Sequence, residues 1–342
     1  MEDFCPQSIE KVFKSNLARN TNLLATVILK KKAKLVNIFY CVPVPAFHNF
    51  FLTKPLADKF RENVSGSKDG RPAWVEGIAQ GSGPGLFGPE SAVWQVHGSI
   101  ATLVGGIRAL LLQAAHPAPL AGVAQHSRYE EDPMGRLAGT TRWLTITSFA
   151  AADVIEREAH RVNAMHSKVT GDYEMKGGSH GLYRAQDPRF LLWVHCAFTD
   201  SFLKAHLALG YPIDKGADQY VAEWSKSAIP LGLTQAPMSV AELESTLDDF
   251  RRNDLARTEL TDGVVKFILK PPFGFGGLFF YRILLNAAIA TLDPNELAIL
   301  ALAPRSKSWL KLARISLDIF LAILGPEAPS MKVARERIAR TA

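Results

Sequence analysis

From Glu90 to the end of the chain, apolar residues recur at spacings of three and four, and the strict alternation of a half-buried strand is almost absent. A chain patterned this way is expected to be all-α. The widest stripe runs over residues 91–115, where Val93, His97, Ile100, Leu103, Ile107, Leu110 and Leu111 share one face, and it reads as a single central helix. A second helix is expected over residues 137–149, after the Asp132-Pro133 start. A third is expected over 151–169, ended by Gly171, with a glycine-rich loop at 171–181 behind it. Asp187-Pro188 opens a long helix that passes His206 and stops at Gly210 and Pro212. Further helices are expected at 214–232, 239–253, 277–292, 295–301 and 306–324, and the basic tail 332–340 reads as an exposed helix. No repeat period is present, which argues against a solenoid.

The chain has 342 residues, 47% of them hydrophobic and 21% charged, with a mean hydropathy of +0.03, enough to bury a large core. The polar, glycine-bearing stretch 63–72 is the best linker, so residues 1–72 are read as a helical N-terminal extension and 73–342 as one helical domain enclosing a pocket. The glycines of 81–89 lack a preceding strand and phosphate-loop spacing, so they are not a nucleotide loop. A net charge of +6 and a pI near 9.2 raise nucleic acid as a partner. However, the cations are spread out and no zinc-finger or RNP motif accompanies them, so nucleic acid is not expected. Lys30, Lys31, Lys32 and Lys34 stand beside the apolar run 35–52. That pairing suits peripheral contact with an anionic membrane, and equally a solvated helix end. Cys5, Cys41 and Cys196 are scattered and odd in number, and acids occupy the place of a basic signal region. The expectation is an intracellular chain, cytoplasmic or peripheral on a membrane, without a secretory signal.

The chemistry-bearing candidates are histidines: His116, His126, His160, His166, His195 and His206. Paired Glu-x-x-His steps for a di-metal bundle are absent, as are His-Glu-x-x-His and Gly-x-Ser-x-Gly. His160 and His166 point roughly 120° apart on a helix of 3.6 residues per turn, so they do not share an ion. Cys196 faces away from its neighbour His195 on a helix. Each lone histidine therefore reads either as a core imidazole satisfied by a hydrogen bond or as the single protein ligand that a haem iron requires. His166 stands on an apolar stripe with Val162 and Val169; upstream, Arg136 and Thr140 share a face of their own helix.

Five ordered segments carry a resemblance. They are Leu112-Gln-Ala-Ala-His116-Pro117; Gly122-Val-Ala-Gln-His126-Ser127; Asp132-Pro133 with Arg136-Leu-x-x-Thr140; Arg161-Val-x-x-Met-His166-x-x-Val169-x-Gly171; and Tyr183-Arg-Ala-x-Asp187-Pro188 with Leu192-Trp193-Val-His195 and Asp200. Together, over roughly residues 85–202, they resemble the family of rubber oxygenases and the endoplasmic-reticulum-bound oxygenase MpaB. The resemblance implies a mostly helical fold around a b-type haem, with His166 as the proximal iron ligand and Arg136 and Thr140 as the distal catalytic pair. His195 would lie against the cofactor or line its pocket. Latex-clearing members carry a lysine where this chain has Gly139, so the resemblance implies an open distal side and sets polyisoprene itself apart from the expected substrates. No acidic residue here matches the family's distal glutamate. Asp132 and Asp187 read mainly as helix caps, and His116 and His126 as buttresses between helices.

The expectation is a haem b-dependent oxygenase that uses dioxygen on an apolar small molecule, with cleavage of a carbon–carbon double bond in an isoprenoid or lipid chain as the first reaction to consider. A haem-dependent hydroxylase or dehydrogenase of secondary metabolism, or a non-catalytic haem or gas binder, are the alternatives.

Overall fold

In the computed structural model, residues 72–126, 133–271 and 275–341 are described. The extension 1–71, with the Lys30–Lys34 cluster and the apolar run 35–52, lies outside them, as does Asp132. The described chain forms helices α1 (Ala73–Ile78), α2 (Ala92–His97), α3 (Thr102–Gln113), α4 (Pro117–His126), α5 (Pro133–Phe149) and α6 (Ala152–His166). A hairpin of β1 (Thr170–Glu174) and β2 (His180–Arg184) follows, then α7 (Pro188–Ala208), α8 (Gly216–Trp224) and a 3-10 segment (Ser225–Leu231). The rest is α9 (Val240–Asn253), α10 (Glu259–Leu269), α11 (Phe275–Ile289), α12 (Pro294–Ile299), α13 (Ser308–Leu324) and α14 (Pro329–Thr341). The fold is all-α apart from that one hairpin. None of the described helices is long and apolar enough to cross a membrane.

The centre is α3 against α7. Asp187 caps α7 by accepting from the Arg189 amide, with Pro188 in the first turn, as its sequence signals require. The two helices approach closely at Gly105, where a Cβ would stand 2.7 Å from the Phe202 ring. One buried ion network fixes them. The Arg108 guanidinium on α3 meets Asp200 of α7 at 2.6 Å, Ser201 Oγ at 2.9 Å and Glu296 of α12 at 3.4 Å. Glu296 also takes Arg251 of α9 at 2.8 Å, and Asp200 takes Lys204 at 3.0 Å. Arg108, Asp200 and Glu296 are all buried. Burial alone would raise the Asp200 pKa, but Arg108 and Lys204 outweigh it and hold the carboxylate ionised.

Four sequence expectations are corrected. The single helix over 91–115 is two helices, α2 and α3. Ser99 breaks the run, its Oγ accepting from the Ala101 amide and its carbonyl from Thr102 Oγ1. The glycine-rich loop 171–181 is the hairpin: Asp172 pairs with Leu182, and Gly177 and Gly178 turn the chain at positive φ. The tail is not simply exposed, because Val333, Ala334 and Arg337 of α14 are buried. Arg337 Nη1 donates to the Ile78 carbonyl at 2.7 Å and Arg340 to that of Ala79 at 2.9 Å, which satisfies the open end of α1. Helix α10, which the sequence reading passed over, is opened by a reciprocal Thr258–Thr261 capping box.

Candidate active site

Helices α5 and α6 carry the residues singled out in the sequence, and two devices fix them. The loop before α2 lies against their junction: Gly85, at φ +76°, sits so close that a Cβ would be 1.9 Å from the Ala150 carbonyl. Gly81 likewise packs closely, against Ala151 and Asp153. Second, Glu158 of α6, almost fully buried, holds two arginines. Arg142 of α5 donates to it at 2.7 and 3.0 Å, and Arg161 at 2.6 and 3.1 Å. Burial pushes the Glu158 pKa up, and the Arg161 and Arg142 bonds more than reverse that, leaving it below the ordinary carboxylate value.

His166 is the last residue of α6. The helix was expected to reach Val169, but the chain leaves it after His166, and the Val169 amide folds back onto the His166 carbonyl at 3.1 Å. Val169 is therefore not on the histidine's helical face. Ile155, Ala159 and Val162 are, and all three are buried. The His166 ring is partly buried, and its Nδ1 is sealed from solvent with no hydrogen-bond partner among the described residues. The nearby Asn163 amide is spent on the Pro230 carbonyl at 3.0 Å. Burial lowers the His166 pKa, so the ring is neutral at pH 7.

On α5, Thr140 is half-buried and Gly139 is exposed, with no atom within 4 Å of where a Cβ would stand. The Arg136 side chain lies outside the described residues. Thr147, two turns beyond Thr140 on the same face, is fully buried.

His195, on α7, lies beside the Trp224 ring, stacked within 10° of parallel at a centroid distance of 6.5 Å. Its Nε2 is sealed and unpartnered among the described residues, and burial lowers its pKa to about 4. Trp224 opens the 3-10 segment whose Pro230 receives Asn163. The stretch from Trp224 to Pro230 therefore touches both the helix that carries His166 and the ring of His195.

The sequence reading passed over a second histidine against Trp224. His97 packs edge-on to it at 4.2 Å. Ser148 donates its hydroxyl to the Leu144 carbonyl at 2.7 Å, so it accepts from His97 Nδ1 at 2.7 Å. His97 Nε2 is then the acceptor for Tyr220 OH at 3.0 Å. Burial first, with His206 beside it, drives the His97 pKa to about 3. The signal was present: His97 interrupts an apolar stripe, the same criterion that drew attention to His166. Burial keeps the His97 and His195 rings neutral, although each residue as a whole is of intermediate exposure. Ile100 between α2 and α3, Leu103 of α3, Leu144 of α5, and Val194 and Phe198 of α7 are likewise only partly buried against the core.

The other histidines have structural roles. His116 Nδ1 accepts from the Ala118 amide at the start of α4, and its ring lies among Phe190, Trp193 and Phe250. His126 bonds the Thr170 carbonyl of the hairpin, His206 bonds the Pro212 carbonyl at 2.9 Å, and His160 is exposed. Cys196 is buried, and burial pushes its thiol pKa up, so it is no nucleophile. Among the described residues no group of three or more His, Cys, Asp or Glu side chains is arranged to hold a metal ion.

Comparison with curated proteins and with solved structures returns no significant match. The sequence model described as "ER-bound oxygenase mpaB/B'/Rubber oxygenase, catalytic domain" matches residues 94–319, from α2 to the carboxyl half of α13. The chain belongs to this family of oxygenase catalytic domains.

Proposed function

We propose that the chain is a haem b-dependent oxygenase that acts on an apolar small molecule. The observation that carries this reading is His166, a neutral imidazole at a helix end, set on a buried apolar stripe, with a sealed ring nitrogen that no described residue uses. An iron held by side chains alone needs a cluster of ligands, whereas haem brings its own ring of nitrogens and asks the protein for one more. A neutral histidine with a free lone pair supplies that one. The residues fit the group.

In this reading His166 holds the iron. Thr140 and Arg136 of α5 supply a hydroxyl and a fixed positive charge, which favour negative charge as it develops on the oxygen that reacts. The haem, when bound, supplies the dioxygen chemistry and the redox change; the chain supplies orientation, polarity and exclusion of water. Neutral His97 and His195, with the partly buried Leu103, Leu144, Val194 and Phe198, would offer a hydrocarbon-rich substrate mostly apolar surroundings with weakly polar edges. Gly139 leaves the position of the family's lysine open.

Oxygen uptake by haem-loaded protein, measured against a panel of isoprenoid and lipid alkenes, tests the reading. Uptake that depends on one of these substrates, with a cleaved or oxygenated product, supports it. Stable gas binding without turnover for any of them would replace it with a haem-based binder.

A further inference from the structure

Helix α13 carries its charged residues, Lys311, Arg314 and Asp318, along one side and is apolar on most of the rest. One side, including Ala313 and Leu317, is buried, while Leu312, Ile315 and Ile319 stand on the opposite side, 42%, 53% and 50% exposed. Those three fall at spacings of three and four, so they form one stripe along the outside of the helix. Its neighbour α11 stacks Phe280 on Phe320 of α13 at 4.4 Å and leaves Phe279 67% exposed. An apolar stripe of this kind is unusual on a water-facing helix.

The charges around it have one sign. From residue 277 to 323 the carboxylates are Asp293, which caps α12, the buried Glu296, and Asp318, which is bound to Arg314 at 2.9 Å. The cations left over are Arg282, Arg305, Lys307 and Lys311, all exposed. Arg282 and Asn286 follow Phe279 on its own face of α11, and Arg305 is held to Asn286 at 2.7 Å. Exposed apolar side chains flanked by unneutralised cations match the anionic surface of a lipid bilayer. A second copy fits poorly, because a two-fold contact would set these four cations against their own counterparts.

We propose that α11 and α13 form a membrane-docking face, in which Phe279, Leu312, Ile315 and Ile319 enter the headgroup boundary of an anionic bilayer while Arg282, Arg305, Lys307 and Lys311 contact its phosphates and carboxylates. The contact is peripheral. It belongs to the helical domain and is separate from the segment 30–52.

The test is co-sedimentation of the full chain with vesicles of phosphatidylcholine alone and of phosphatidylcholine with phosphatidylserine. The wild type and two double variants, Ile315→Glu with Ile319→Glu and Lys307→Glu with Lys311→Glu, are compared at low and high salt. Expected are binding to the anionic vesicles only, weakening with salt, and a loss of about tenfold or more in both variants. Because all four positions are exposed, melting temperatures should stay within about 2 °C of wild type. Unchanged binding in the variants places the contact elsewhere, residues 30–52 included, and overturns the proposal. So does equal binding to both vesicle types, or none at all. A concentration-dependent dimer that the isoleucine variant abolishes would assign the face to a second copy instead.

Discussion

At the residue scale, the histidines divide by what their nitrogens do. His97 bonds through both nitrogens; His116 and His206 bond through one and keep the other sealed without a partner; His166 and His195 each keep a sealed nitrogen and make no ring hydrogen bond among the described residues. The sequence marks all of them alike, as polar rings on apolar faces. Only the fold tells them apart, which is why His97 went unnoticed and His116 drew attention. Gly139 makes a separate prediction. It lies inside α5 with no atom near its Cβ position, so Gly139→Ala should stabilise the protein by up to about 1 kcal/mol in urea unfolding. Gly139→Lys should fold equally well and, in haem-loaded protein, shift the absorption spectrum as an amine approaches the iron. A strongly destabilised Gly139→Ala would mean that the space is filled.

At the element scale, two ion clusters of similar appearance should behave differently. Glu158 joins α5 to α6, but Arg142 and Arg161 are 37% and 41% exposed and can turn to water when it is removed. Glu158→Ala should therefore cost only about 1–2 kcal/mol. Arg108 lies between Asp200 and Glu296 with no route to solvent. Arg108→Ala takes the buried cation from between two buried carboxylates, leaving Asp200 to Lys204 and Glu296 to Arg251 alone, and should cost about 3–5 kcal/mol, enough to unfold a marginal protein. Urea denaturation of both variants gives the ratio, and equal costs would contradict the account. Helix existence was well marked in the sequence, and Asp187-Pro188 and Ser239 marked starts, whereas Gly171, read as a helix stop, lies inside β1. The α2–α3 break was not marked, because it depends on Ser99 turning its hydrogen bonds inward. Nor was the hairpin, whose strands carry glycine where β-formers are usual.

At the scale of the whole molecule, burial keeps His97, His116 and His195 neutral, with pKa values of about 3, 3 and 4 against an ordinary 6.5. Between those values the unfolded chain binds protons that the folded one refuses. Stability is therefore complete above about pH 6.5 and falls as pH drops below it. Each ring contributes about 1.4 kcal/mol per pH unit until it protonates in the folded state. Thermal unfolding between pH 7.5 and 5 should show a steep fall, and His116→Gln should flatten it; a melting temperature indifferent to pH over that range would contradict the assignment of neutral rings. Charge, by contrast, was legible in total but not in place: Arg282, Arg305, Lys307 and Lys311 come to flank one exposed apolar stripe only once α11 and α13 are packed.

The family and the all-α architecture rest on the fold and the sequence match; the cofactor rests on His166. The most direct measurement is an absorption spectrum of protein produced with haem supplied, beside His166→Ala. The account predicts a Soret band at one haem per chain in the first, and a lost or displaced band in the second. A haem-replete preparation without a Soret band, or a spectrum unmoved by His166→Ala, would contradict it.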